Sequence, residues 1–118
     1  MFTDTHSHIH FTREFPDIEE ILERTKIAQV DRQIIVGCTP KDSFEAIDFV
    51  QKHRSFAMWS TLGVHPHNAD EWTPEIESKF ERLVLENPGK IVGLGEMGLD
   101  YFRNLQPAEL QWKAFEGQ

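Results

Sequence analysis

Short apolar runs of β-forming residues alternate with amphipathic helical stretches along this whole chain, and that alternation leaves few folds open. Phe2 to Ile9 reads as a first strand. From Pro16 to Val30, Ile18, Ile21, Leu22 and Ile27 share one stripe, with Glu19, Glu20, Glu23 and Arg24 outside it, which predicts a helix. Gln33 to Gly37 is a strand of the buried type, because Ile34-Ile35-Val36 is β-branched throughout. Thr39 can cap a second helix, with Pro40 in its first turn, Asp42 completing a box-like pair and Phe44, Ile47 and Val50 as its apolar face. Phe56 to Val64 is a third strand. Thr73-Pro74 opens a third helix carrying Ile76, Phe80, Leu83 and Val84, and Asn87-Pro88-Gly89 stops it. Lys90 to Glu96 is a fourth strand, and a fourth helix starts at Pro107 and still runs near Gln118. The expected fold is α/β: a parallel sheet with right-handed crossovers in a single domain. A closed eight-unit barrel takes roughly 250 residues, so 118 residues cannot make a whole one.

Charge narrows the function. Twenty acidic residues against 12 basic ones give a net charge of −8, so bulk positive charge does not grip nucleic acid here. Any such substrate needs local basic groups or bound cations. The single cysteine, Cys38, rules out an internal disulfide and fits a reducing compartment. No apolar run is long enough to span a membrane, and Met1-Phe2-Thr3-Asp4 lacks the basic-then-apolar order of a signal peptide. The expectation is a soluble cytoplasmic domain.

Three polar constellations stand where strands end. In the first strand Asp4, His6 and His8 alternate onto one face, where a covered parallel sheet would be apolar. Buried polar groups of this kind need satisfying, and a divalent ion held by His6 and His8 does so, with Asp4 orienting them or reaching the ion itself. Gly63-Val64-His65-Pro66-His67 follows the third strand, and Pro66 turns the chain so that His65 and His67 sit on a loop at a strand's C-terminal end. Gly93-Leu94-Gly95-Glu96-Met97-Gly98-Leu99-Asp100-Tyr101 ends the fourth strand at Glu96, whose carboxylate can bridge two cations, and places Asp100 in the next loop. Each also has a plain reading: a solvated histidine pair, a polar turn, a glycine-rich turn with a capping acid. Together they face one rim and offer imidazole and carboxylate donors, which points to hydrolysis with Zn, Mn or Mg.

Other residues carry weaker signals. Cys38 reads as a buried or structural thiol, since no activating base lies beside it in sequence. His10 and His53 read as surface groups, and Trp59 as a core residue of its strand. For Trp72, base stacking and core packing both stay open.

At these blocks the chain resembles the TatD family of metal-dependent deoxyribonucleases, within the amidohydrolase-like barrel superfamily. Asp4-Thr5-His6-Ser7-His8 is similar to the family's opening Asp-x-His-x-His, Gly63-Val64-His65-Pro66-His67 to its Gly-x-His-Pro-His, and Gly95-Glu96-Met97-Gly98-Leu99-Asp100-Tyr101 to its Gly-Glu-x-Gly-Leu-Asp-Tyr. Gln111 through Phe115-Glu116-Gly117-Gln118 resembles the start of the family's fourth helix. The resemblance covers the whole chain. It implies the first four (β/α) units of a TIM-type (β/α)8 barrel, cut inside the fourth helix: an incomplete domain spanning residues 1–118.

It also implies roles. His6 and His8 would bind one divalent ion and Glu96 would bridge to a second, with His65 near the substrate phosphate and Asp4, His67, Asp100 and Arg103 around it. The implied activity is two-metal hydrolysis of DNA phosphodiester bonds, with cations in place of Lys and Arg holding the phosphate. Arg103 is a local helper or a surface residue. The family's further histidines and late aspartate have no counterpart before Gln118. Two other readings are another amidohydrolase-like enzyme, and an inactive truncated form acting as a metal-binding or interaction module. A half-barrel also leaves the edges of its first and last strands unpaired, so self-association is expected.

Overall fold

The computed structural model describes all 118 residues, and strand and helix alternate in it as the hydrophobic pattern dictates. The order is β1 (Phe2–Ser7), α1 (Ile18–Ile27), β2 (Val30–Ile35), α2 (Pro40–Lys52), β3 (Ala57–Leu62), a 3-10 segment (Pro66–Glu71), α3 (Pro74–Glu86), β4 (Ile91–Leu94) and α4 (Ala108–Gly117). Threonine–proline pairs start α2 and α3. The Thr39 hydroxyl accepts the Asp42 N–H at 3.1 Å and the Thr73 hydroxyl accepts that of Ile76 at 3.3 Å. Pro40 and Pro74 follow in the first turn, where a missing N–H is harmless.

The four strands form one parallel sheet in the order β1-β2-β3-β4. Strands about 4.8 Å apart would set β1 and β4 roughly 14 Å from each other in a flat sheet. Yet His6, on β1, brings its Nε2 within 3.7 Å of the carboxylate of Glu96, just past β4. The chain after β4 therefore reaches back across the C-terminal ends of the strands toward β1, its Gly95 N–H bonded to Leu62 and its Glu96 N–H to Gly37.

Several boundaries differ from the sequence reading. The first helix stops at Ile27, short of Val30, because Gln29 takes a left-handed φ of 60°. Val30 is thus released to pair with Phe2, and β2 begins three residues before the expected Gln33. β1 ends at Ser7, and Ile9 turns into the core at 6% exposure. β3 ends at Leu62. β4 ends at Leu94, because Gly95 has a φ of 144° that a strand does not hold, so Glu96 stands beyond the strand.

Only one face of the sheet is well covered. On the helix side, Gln33, Ile35, Met58, Ser60 and Leu62 are buried. One apolar cluster gathers Ile9, Leu22, Ile35, Ala46, Phe49, Val50 and Met58, and a second gathers Leu62, Val64, Ala69, Trp72, Phe80 and Ala114. Trp72 is thus a core residue, meeting Phe80 edge to face. On the other face the paired residues Ile34 and Trp59 are only half-buried, so Trp59 is less enclosed than expected. β1 is exposed along nearly its whole length; at the far edge Val92 is 50% exposed, and Leu94, the partner of buried Leu62 and so on the helix side, is 47% exposed. The radius of gyration is 15.0 Å, against about 13.5 Å for a typical domain of this length. The accessible surface is 7264 Å², against about 6600 Å² for a monomer of this mass. No helix is long and apolar enough to cross a membrane.

His10 and His53 are not the surface groups the sequence suggested. His53 is 9% exposed, and its Nδ1 lies 2.9 Å from the Phe49 carbonyl, which also accepts the His53 backbone N–H at 3.1 Å at the α2 C-terminus. His10 is 5% exposed and belongs to the network described next.

Candidate metal centre

The turn after β4, crossing the ends of β3 and β2, brings Glu96 to His6 and His8 at the C-terminal rim. The Nε2 atoms of His6 and His8 are 3.1 Å apart. They lie 3.7 and 3.9 Å from Oε2 of Glu96, and one donor atom from each residue falls within 4.8 Å of the others. The second carboxylate oxygen, Oε1, faces the other way, 3.8 Å from Nε2 of His65. Glu96 thus stands between two imidazole groups and presents one oxygen to each. Two imidazoles and a carboxylate are donors that Zn and Mn accept readily, so the residues fit a divalent ion.

Backbone contacts set Glu96 at this point. Its N–H donates to the Gly37 carbonyl at 2.7 Å, and the Gly95 N–H donates to that of Leu62, so the turn after β4 is tied to the ends of β2 and β3. Thr61 donates its hydroxyl to the Gly95 carbonyl at 2.5 Å.

A buried network braces the other side. His10 Nε2 donates to Asp42 Oδ1 at 2.6 Å, and Asp42 Oδ2 accepts the Cys38 N–H at 2.6 Å. Asp42 was expected to close a capping box, but its carboxylate turns to these two groups instead. The Phe11 ring touches both this network and the centre, stacked on His8 at 5.1 Å between centroids and tilted against His10 at 4.6 Å. Burial pushes the Asp42 carboxyl up, but the hydrogen bonds from His10 and from the Cys38 N–H outweigh it and leave it below the ordinary carboxylate value. A carboxyl held low in the folded state stabilises the fold above its unfolded value, and that stability is lost as pH falls through the folded one. Thermal melts from pH 6 down to pH 2 should therefore show an acid limb that shrinks in Asp42→Asn. An unchanged acid limb would disprove the coupling.

Cys38 stands at the rim, its Sγ 3.5 Å from Glu96 Oε2 and 3.9 Å from His8 Nδ1. Burial, with the charges of Asp42 and Glu96 nearby, pushes its thiol up to about 12. It is therefore protonated near neutrality and unsuited to be a nucleophile. Iodoacetamide at pH 7.5 should alkylate it at least roughly tenfold more slowly than a free thiol of ordinary pKa. Equal rates would contradict this assignment.

His65 caps the 3-10 segment, its Nδ1 accepting the His67 N–H at 3.1 Å. The loop expected around His65 and His67 is thus partly helical. Burial, reinforced by the neighbouring His67, lowers the His65 pKa and favours its neutral ring. His67 donates from Nε2 to Asp100 Oδ2 at 2.6 Å. Asp100 also caps its own loop, with Oδ1 accepting the Arg103 and Phe102 N–H groups at 2.9 and 3.0 Å. The Arg103 N–H and the His67 ring hold the Asp100 carboxyl well below the usual range. The Arg103 guanidinium reaches Asp100 at 3.4 Å and is otherwise exposed. Asp4 stays outside the donor group, and its carboxylate accepts the His6 N–H at 3.0 Å.

The sequence reading missed two features of this rim. His10 and Asp42 were not paired, because a contact across 32 residues leaves no local spacing to find. Gln111 was noted only for its likeness to a helix start, yet it is 1% exposed and bonds the backbone of Asp100. Its seven-residue spacing from Gln118 was the available signal, since both then fall on one helix face.

The pattern that defines the family described as "TatD related DNase" matches residues 3–118. This chain belongs to that family. A Rahnella protein named 3′-5′ ssDNA/RNA exonuclease TatD is 39% identical to it over 100 residues, covering 84% of this chain and 36% of that protein. A TatD-family hydrolase from Entamoeba histolytica superposes with a TM-score of 0.87 at 25% identity, over 98% of this chain and 43% of the other. A TatD homologue from Escherichia coli K12 gives 0.81 at 26% identity, over 98% and 44%. The chain thus spans little more than a third of that curated relative, and its four strands match the N-terminal part of TatD barrels.

Proposed function

We propose that this TatD-family chain contributes the His6, His8 and Glu96 side of a divalent-metal nuclease centre that hydrolyses phosphodiester bonds of single-stranded DNA. The observation that carries this reading is the placing of Glu96 between His6 and His8 on one side and His65 on the other. A carboxylate so placed suits two ions, the number and donor types that phosphodiester hydrolysis uses. When bound, such ions (Mg, Mn or Zn) supply Lewis acidity that draws charge from the phosphate oxygens and acidifies water.

The chain's own residues would do the rest. His6, His8 and Glu96 hold the cations that an acidic protein needs to approach a polyanion. His65, with its neutral ring favoured, offers a hydrogen bond to a phosphate oxygen without adding charge. His67, oriented by Asp100, lines the approach, and Arg103 adds the local positive charge. Asp4 keeps the strand backbone at His6 in place. The names of curated relatives support single-stranded nucleic acid as substrate. The lone Cys38 supports a cytoplasmic setting. The open edges of β1 and β4 and the excess of accessible surface support association between copies of this chain.

The test is release of nucleotides from a labelled single-stranded oligonucleotide by a protein in which this chain continues past Gln118, with Mn²⁺ or Mg²⁺ and then with excess chelator. Turnover that needs the ion and falls roughly a hundredfold or more in Glu96→Ala is the expected result. Equal rates for parent and variant would overturn the reading.

A further inference from the structure

We propose that Gln111 and Gln118 are positioning residues, holding the two polar loops of the site by binding their backbone as a neighbouring strand would. The two amides make matching contacts. Gln111 Oε1 accepts the Asp100 N–H at 2.8 Å, while its Nε2 donates to the carbonyls of Asp100 at 3.3 Å and Gln106 at 2.7 Å. Gln118 Oε1 accepts the Val64 N–H at 2.7 Å, while its Nε2 donates to the carbonyls of Val64 at 3.1 Å and Ala114 at 2.9 Å. Each carboxamide thus meets both the N–H and the C=O of one loop residue. A carboxamide offers a donor and an acceptor in one plane, as a peptide group does.

The two clamped residues matter for the site. Val64 leads directly into His65, Pro66 and His67. Asp100 receives the His67 Nε2–H at 2.6 Å. One helix therefore fixes both the base of the histidine loop and the carboxylate that the histidine meets. Packing does not explain the choice of glutamine. Ala114, between the two on α4, is 2% exposed and makes the apolar contact, whereas Gln111 is buried at 1% with all its bonds going to backbone. The inference rests on the proposed function only in giving the His67–Asp100 pair a part in the reaction.

The experiment uses the full chain with Gln111→Met and Gln118→Met, which keep length but lose both polar atoms. Leu83→Ala, a partly buried residue packed against the second apolar cluster, serves as a destabilised control. NMR would follow hydrogen exchange at the Asp100 and Val64 amides and the ring N–H resonance of His67. Each glutamine variant should speed exchange at its own clamped amide roughly tenfold or more and shift the His67 resonance, while Leu83→Ala moves neither selectively. In the nuclease assay both should lower kcat roughly tenfold to a hundredfold with little change in KM. Clamped amides and a His67 signal that stay as in the parent, or that change equally in Leu83→Ala, would overturn the proposal. A protein in which this chain continues past Gln118 and that shows no ion-dependent nuclease activity would sink the proposed function, while the NMR result would still decide for or against the clamp.

Discussion

Replacing His8 by alanine should lower the affinity of this chain for Mn²⁺ or Zn²⁺ roughly a hundredfold or more, as read by titration calorimetry near pH 7.5. The size follows from the donor count. Only three side chains converge closely enough to share an ion, and losing one leaves His6 and Glu96. Of the two histidines, His8 is the better braced. Its side chain is 28% exposed against 54% for His6, and Phe11 stacks on its ring. Little of its ordering cost is left to be met when an ion arrives. His6→Ala should weaken binding in the same direction. Asp4→Ala, which removes a carboxylate outside the donor group, should change affinity far less. Equal affinities for the parent and His8→Ala would remove His8 from the centre.

The largest loss of stability should come from Gly63→Ala. A Cβ at Gly63 would run into backbone atoms of Gly95 and Glu96, and backbone cannot swing aside as the end of a side chain can. The Gly63 N–H and carbonyl are also held by the Ser43 hydroxyl, at 3.0 and 3.1 Å, so the glycine cannot retreat. The cost should be roughly 3 kcal/mol, the upper end for overpacking, which lowers the melting temperature by about 10 °C or more. The same methyl pushes on the peptide that carries Glu96, so ion affinity should fall as well. Gly93→Ala is the contrast. Its Cβ meets only Thr61 Cγ2 at 3.5 Å, an ordinary contact, and the melt should move little. Like melting temperatures for Gly63→Ala and the parent would show that the ends of β3 and β4 are not packed as described.

The sequence made the elements legible wherever a local rule decides them. Thr39-Pro40 and Thr73-Pro74 mark helix starts because capping is a contact between near neighbours. The apolar stripe of α3 and the β-branched run in β2 need no distant partner to be read. The His6, His8 and Glu96 group was legible because each residue sits at a strand end, and parallel strands send those ends to one rim. What stayed hidden depends on long-range contacts or fine backbone geometry. The left-handed turn at Gln29 moved the start of β2, and no residue there announces it. His10 looked like surface because a lone polar residue after a strand usually is. Its burial depends on Asp42, far along the chain. Gln111 and Gln118 looked like ordinary helix residues because their partners are backbone atoms, which leave no trace in residue type.

The strand order has a consequence for how the molecule comes into being. Each strand after the first pairs with the strand made just before it, so a growing chain can lay the sheet down in the order of synthesis. The donors of the centre do not follow that local rule. His8 is made at the outset and Glu96 after β4, and at ~5–20 residues per second the interval is roughly 5 to 20 seconds. Throughout it the imidazoles of His6, on exposed β1, and of His8, just past it, wait without their carboxylate. The centre thus forms only after β4, and its appearance reports that all four strands have docked.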